Sequence, residues 1–180
     1  IRMLDLSRLL PGGLCTKLFA DLGAEVIKVE EPKLGDYCRW EKPFVNNESY
    51  YHLIINGNKK SIKLDLKTEE GKSKFLKLVE TSDVVFENFR PGVMERLGLG
   101  YGQLKKVNER IILCSMSGFG QQSPYRDLVA HDINYLAMAG FLDLMIDHQK
   151  DASIPADPIA DVFSALAAAL SIAATVCERQ

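Results

Sequence analysis

Short apolar runs alternate with stretches of helical period from the first residues onward. Met3-Leu4-Asp5-Leu6 has the length and composition of a strand. The Pro11-Gly12-Gly13 segment after it is expected as a loop, leading into a helix with Leu14, Leu18 and Leu22 on one face. Gly23 is placed to end that helix. Val26-Ile27-Lys28-Val29 is then the next strand. A strand–helix–strand unit of this kind builds parallel sheets.

The alternation continues. Residues Pro32 to Ser49 are polar, aromatic and irregular, and are expected as a long surface excursion. Ser61 to Leu66 reads as a short strand. Thr68 to Glu80 reads as a helix, with Thr-x-x-Gly at its entry and Phe75, Leu76 and Val79 on one side. Asp83 to Phe86 is a strand, Asn88 to Gly92 a turn and Val93 to Leu97 a short helix. Arg110 to Cys114 is a further strand leading to a Gly118-Phe119-Gly120 turn, and His131–Leu142 and Ile159–Glu178 are helices. The pattern predicts an α/β fold: a Rossmann-like, open, mostly parallel sheet with helices on both faces, formed by residues 1–180 as one domain. From Ile159 to Cys177 only Asp161 is charged, which approaches the length of a membrane span. Seven alanines, three hydroxyl side chains and no aromatic belt favour instead a buried helix packed closely on its neighbours, and no membrane.

Composition narrows the class. The chain is 47% apolar and 26% charged, as soluble globular proteins are, and 180 residues suffice for one core-bearing domain. A net charge of −2 gives no global attraction to nucleic acid or an anionic membrane. The four cysteines lie far apart with no C-x-x-C pair, which fits reduced thiols in a cytoplasmic protein. The sequence begins at Ile1 in a strand pattern and stops at Gln180 after a helical one, so both ends read as cut.

Neither standard nucleotide fingerprint is present: Gly12, Gly13 and Gly23 do not fit G-x-G-x-x-G, and no Gly-Lys-Ser/Thr follows a glycine loop. Ser115 and Ser117 lack the flanking glycines of a nucleophile elbow. His52, His131 and His148 are isolated from one another, with no metal-ligand spacing. Lys59, Lys60, Lys63 and Lys67 form either a solvated face or a phosphate site. Arg90 and Arg96 flank a turn after a strand end, where α/β proteins bind ligands. His131 and Asp132 precede a helix with Leu136, Ala139 and Leu142 on its apolar face, and a histidine there caps or packs more often than it catalyses. Asp161 opens an uncharged run, so it belongs near a helix N-terminus, where the dipole and free N–H groups stabilise a carboxylate. A plain cap and a catalytic group both satisfy that position.

Several segments together carry a resemblance. They are Leu4-Asp5-Leu6-Ser7-Arg8, the run from Ala20 to Glu30, Asn58 to Lys67, Glu87 to Gly98, Ser117 to Gly120, and His131-Asp132-Ile133-Asn134-Tyr135. In this order they resemble the class III CoA-transferase family, which includes formyl-CoA and carnitine CoA-transferases and the α-methylacyl-CoA racemases. The resemblance implies the N-terminal α/β part of a longer chain that adds a smaller domain and interlocks with a second copy as a homodimer. It implies an acyl-CoA and a carboxylic acid as substrates, with the coenzyme A thioester a substrate and no permanently bound cofactor. Asp161 matches the aspartate that attacks the acyl-CoA carbonyl, giving an aspartyl anhydride and then an aspartyl-CoA thioester. Leu64, Lys67, Asn88, Phe89 and Arg96 match positions lining the CoA site, with Arg90 in the same turn and Arg8 in the first loop.

Two departures accompany it. Val162-Phe163-Ser164-Ala165 follows Asp161 where the family carries glycine, which implies a narrower acyl pocket, and Glu31 stands where formyl-CoA transferases place an adenine-contacting arginine. An alternative chemistry stays open. The racemases use a histidine of a His-Asp-Ile-Asn-Tyr segment and an aspartate thirty residues later as two bases, the interval between His131 and Asp161. The long Gly35–Asn56 excursion is transferase-like, and transfer is the preferred expectation. A non-catalytic CoA-binding subunit is a further alternative, whose mark would be loss of the carboxylate that Asp161 supplies here.

Overall fold

The computed structural model describes residues 1–146 and 153–179, so His148 lies outside the described residues. Strand β1 (Arg2–Asp5) leads through helix α1 (Leu9–Asp21) to β2 (Glu25–Glu30). A short antiparallel hairpin, β3 (Phe44–Val45) and β4 (Glu48–Ser49), precedes α2 (Tyr50–Asn56). Next come β5 (Lys60–Lys63), α3 (Glu69–Val79), β6 (Val84–Glu87), α4 (Val93–Arg96), α5 (Tyr101–Val107) and β7 (Ile112–Ser115). Helices α6 (Asp132–Met138) and α7 (Ile159–Arg179) complete the order. The main sheet has five strands in the order β5-β2-β1-β6-β7, and every pairing in it is parallel. The fold is therefore the expected α/β one.

Strand alternation sends side chains to two faces. Leu4, Leu6, Ile27, Val29 and Val85 pack with Phe75 and Val79 of α3 and Leu104 of α5. Met3, Val26, Val84 and Phe86 pack on the opposite side with Cys15 and Phe19 of α1 and Ile172 and Val176 of α7. Both faces of the sheet are thus covered, as a parallel sheet requires. Thr68 caps α3 by accepting from the Gly71 N–H at 3.1 Å, and Glu69 and Glu70 occupy its first turn, where the dipole favours acids.

Several local expectations are corrected. Pro11, Gly12 and Gly13 lie inside α1, the proline in its first turn, where no N–H is needed. A Cβ on Gly12 would stand 2.2 Å from that of Ser7, so glycine alone lets α1 start against the preceding loop. The buried face of α1 is Cys15, Thr16, Phe19 and Ala20, whereas Leu22 is 87% exposed. Leucines four apart drift around a helix of 3.6 residues per turn, and the small residues carry the close contact.

The Pro32–Ser49 excursion is not merely superficial: Asp36 and Cys38 are buried, and Asp36 accepts from the Cys38 N–H at 3.2 Å to start a short 3₁₀ turn. Helix α2 is a seven-residue apolar cluster without a helical period, and α5 carries too few apolar positions to declare itself in the sequence. Helix α6 stops at Met138, with Leu136 buried and Ala139 exposed. Helix α7 buries Ala165, Ile172 and Val176 on one side, while Phe163, Leu166 and Leu170 are 67%, 46% and 72% exposed. The expected burial therefore holds for one face of α7, and the helix is long and apolar enough to cross a membrane by length and composition.

Candidate active site

From β1 the chain winds outward to β2 and β5, then returns to β6 on the other side of β1. Ligands of open α/β sheets bind beyond the carboxyl ends of the strands at such a switch point. There the segment after β1 (Ser7-Arg8-Leu9) meets the segment after β6 (Asn88-Phe89). The Asn88 amide makes two hydrogen bonds to the Arg8 backbone: Oδ1 accepts from the Arg8 N–H at 2.9 Å and Nδ2 donates to the Arg8 carbonyl at 2.8 Å.

Charges buried under this crossing fix it. Asp5 accepts from the Ser7 N–H and hydroxyl at 2.9 and 2.5 Å, from the Thr16 hydroxyl at 2.6 Å and from Lys59 Nζ at 3.1 Å. Lys28 Nζ lies 2.8 Å from Asp36 Oδ2 and donates to the Ser7 carbonyl at 2.9 Å. Lys59 also donates to the Gly13 carbonyl and Asn56 Oδ1, each at 2.8 Å. Burial alone would raise the Asp5 carboxyl, but Lys28, Lys59 and the two hydroxyls outweigh it and hold it down at about 2. The Lys59 side chain is 1% exposed and paired. It takes no part in a solvated basic face.

One cavity of about 330 Å³ opens beside this crossing. Arg8, Leu64, Lys67, Phe89 and Arg90 all line it. The Arg8 guanidinium carbon sits 4.8 Å from the Tyr37 ring centre and 5.9 Å from that of Phe89, and its Nη1 donates to the Tyr37 hydroxyl at 2.7 Å. Glu30 and Glu31 line it as well. Burial pushes Glu30 up, yet hydrogen bonds from Arg39, Ser61 and the Asp36 N–H prevail and hold its carboxyl at about 2. Arg96 is exposed on α4, with Nη1 3.3 Å from where a Cβ on Gly92 would be, and it lines neither cavity.

A second cavity, of about 320 Å³, is lined by Leu9, Asn88, His131, Tyr135, Asp161 and Ser164 among others. His131 and Asp161 therefore share one space. Asp161 stands in the first turn of α7, and its N–H donates to Asp132 Oδ1 at 2.9 Å. Half-burial and the neighbouring Asp132 raise the Asp161 carboxyl above its ordinary value, against the pull of His131. The favourable field at the start of α7 does not offset these two effects. Tyr135 donates to the Ala130 carbonyl at 3.2 Å and stands edge-on to Phe119, ring centres 5.1 Å apart. A Cβ on Gly118 would be 1.9 Å from its hydroxyl, so the glycine of that turn makes room for the tyrosine. Phe163 is 67% exposed and does not line this cavity, so the bulk after Asp161 does not narrow it; Ser164 faces it instead.

Of the residues singled out from sequence, Arg8, Leu64, Lys67, Phe89 and Arg90 come together at one cavity, and Asn88, His131 and Asp161 at the other. Asp132, Tyr135, Tyr37 and Asp36 were not read as part of a site. Asp132 and Tyr135 belonged to the His-Asp-Ile-Asn-Tyr segment already noted. Nothing in the excursion sequence marks Tyr37 or Asp36.

The family model for CoA-transferase family III matches residues 1–180. The chain is 39% identical to succinyl-CoA:glutarate CoA-transferase of Mus musculus over 180 residues, 99% of this chain and 41% of that protein. It is 44% identical to acetyl-CoA:oxalate CoA-transferase of Acetobacter aceti over 140 residues, 78% of this chain and 36% of that one. A crystal structure of a CAIB/BAIF family protein from Brucella suis superposes with a TM-score of 0.94 at 35% identity, covering 99% of this chain and 48% of that one. The chain thus spans less than half the length of each of these relatives. With the match running over every residue, and the fold agreeing, the chain belongs to CoA-transferase family III.

Proposed function

We propose that the protein transfers coenzyme A from an acyl-CoA thioester to a carboxylic acid, with Asp161 as nucleophile. The observation that supports this most directly is the placement of Asp161 in a cavity that adjoins, across the Arg8–Leu9 peptide, a second cavity lined by Arg8, Lys67 and Arg90. The cationic side chains suit the phosphates of CoA, and the thioester end reaches the Asp161 cavity. Carboxylate attack on the thioester carbonyl expels the CoA thiolate and leaves an acyl-aspartyl anhydride. The thiolate then attacks the aspartyl carbonyl, releasing the first carboxylic acid and leaving an aspartyl-CoA thioester. The acceptor carboxylate reverses these steps, and no step requires a metal or redox group. Dicarboxylates such as those in the relatives' names are the first acceptors to test. The working unit in this reading is the longer chain, as an interlocked homodimer.

Racemisation is the second reading, favoured by the presence of His131 and Asp161 in one cavity, where two bases would face an α-carbon. Acyl-CoA added without acceptor to the intact protein separates the two. Transfer predicts an adduct on Asp161 that hydroxylamine cleaves and D161N cannot form. Racemisation predicts α-deuterium uptake from deuterium oxide that depends on His131, with no adduct.

A further inference from the structure

The Arg8–Leu9 peptide is held from both sides. Its carbonyl accepts from Asn88 Nδ2 at 2.8 Å, and its N–H donates to Asp36 Oδ1 at 3.0 Å. The preceding Arg8 N–H is taken by Asn88 Oδ1 at 2.9 Å. Asp36 is itself fixed by the buried Lys28, whose ammonium also binds the Ser7 carbonyl. Immediately after this peptide Leu9 adopts φ +62, a left-handed conformation that L-residues with a Cβ avoid. Free of its clasps, a leucine would relax to φ < 0 and turn the peptide. The residues on its two sides line different cavities: Arg8 with Phe89 on one side, Leu9 with Asp161 on the other.

We propose that Asn88 and Asp36 are positioning residues: they clasp the Arg8–Leu9 peptide, against the preference of Leu9, as a fixed partition between the cavity for the CoA body and the cavity of Asp161. The partition sets how far the thioester projects toward Asp161 while Arg8 is held on its aromatic shelf. Asn88 lines the Asp161 cavity, yet its amide acts chiefly through Arg8. Strain at Leu9 is stored where two partners, the buried Asp36 and the half-buried Asn88, over-determine it, the circumstance in which such conformations persist.

This inference rests on the transferase reading, and a double-mutant cycle in the intact protein keeps the two apart. Glycine adopts φ > 0 without penalty, so L9G removes the strain that Asn88 opposes. N88A should lower kcat about tenfold with Leu9 in place, the population lost when a residue escapes a left-handed conformation. In the L9G background the same change should cost less than about threefold. KM for acyl-CoA should move less than kcat in both. An equal loss in both backgrounds, with wild type active, overturns the proposal and makes Asn88 a direct ligand contact. If N88A is not recovered folded, N88Q serves, because its longer amide misses the Arg8 peptide while staying polar. A wild-type protein without CoA binding or transfer refutes the functional reading instead.

Discussion

The N–H of Asp161 donates to the carboxylate of Asp132 across 2.9 Å, so two acids converge on one helix start. Asp132 accepts a backbone hydrogen bond there and at the same time crowds the charge on Asp161. Half-burial and that neighbour raise the Asp161 carboxyl above the ordinary 3.8. A nucleophilic carboxylate has to be ionised, so activity should fall with decreasing pH through this raised value, earlier than for a solvated aspartate. D132N keeps an acceptor oxygen for the Asp161 N–H and removes the charge. Its rate profile should show the acid limb displaced to lower pH, measurable as kcat/KM against pH. An unmoved limb would mean that Asp132 does not tune Asp161.

Asp5 governs stability rather than rate. Its carboxyl is held at about 2, against the ordinary 3.8, so the stabilisation is fully present above 3.8 and is lost as pH falls toward about 2. D5N leaves Lys59 in the interior without its carboxylate partner, while Lys28 keeps Asp36. Removing one partner of a buried ion pair costs about 3–5 kcal/mol. Urea denaturation of the intact protein should show that loss at neutral pH and a shallower acid dependence below it.

Binding of CoA should depend on Lys67 and on the arginines around the Asn88–Gly92 turn. Lys67 and Arg90 line the cavity, whereas Arg96 is exposed on α4 outside it. K67A and R90A should each weaken CoA by about 1.5–3 kcal/mol, the range for a hydrogen bond to a charged group, and R96A by less. The loss should shrink as ionic strength rises, because exposed charges are screened. Titration calorimetry with CoA and dephospho-CoA would show which of Lys67 and Arg90 serves the 3′-phosphate.

Gly118 and Tyr135 should behave as a coupled pair. With a Cβ only 1.9 Å from the tyrosine hydroxyl, G118A cannot be accommodated without moving Tyr135 off Phe119. Overpacking of this sort costs about 1–3 kcal/mol. G118A should therefore lower the unfolding midpoint and the transfer rate together. In the Y135A background the same substitution should be close to neutral, and an unchanged cost there would disprove the contact.

The fold was largely legible because its strands are short apolar runs between turn residues, and each of the five main-sheet strands appears within two residues of its expected start. Helix α5 was not legible, since a stretch with Leu104 as its one buried side chain carries no period. On α1 the leucines carry the visible apolar spacing, while the buried contact is made by small residues such as Gly12, Cys15 and Thr16, which leave no such mark. One signal was present and unused. Asp5 and Lys28 each interrupt an apolar strand, and they are register partners in adjacent parallel strands. Two opposite charges inside two such runs already describe a buried pair. The meeting of Arg8 with Asn88 lay out of reach, because eighty residues separate them and only the order β2-β1-β6 brings them together.

The four buried charges of Asp5, Asp36, Lys28 and Lys59 cancel as a set, and this bears on how the protein can change over time. Any single neutral replacement strands the remaining ion in a dry interior, so a one-step mutational path through these positions crosses a deep fitness valley. A paired exchange that removes one acid and one base together keeps neutrality and avoids it. Across descendants of this sequence the Asp5–Lys59 and Lys28–Asp36 pairs should accordingly drift as couples, each retained whole or lost whole, while exposed Lys60 and Lys63 vary independently.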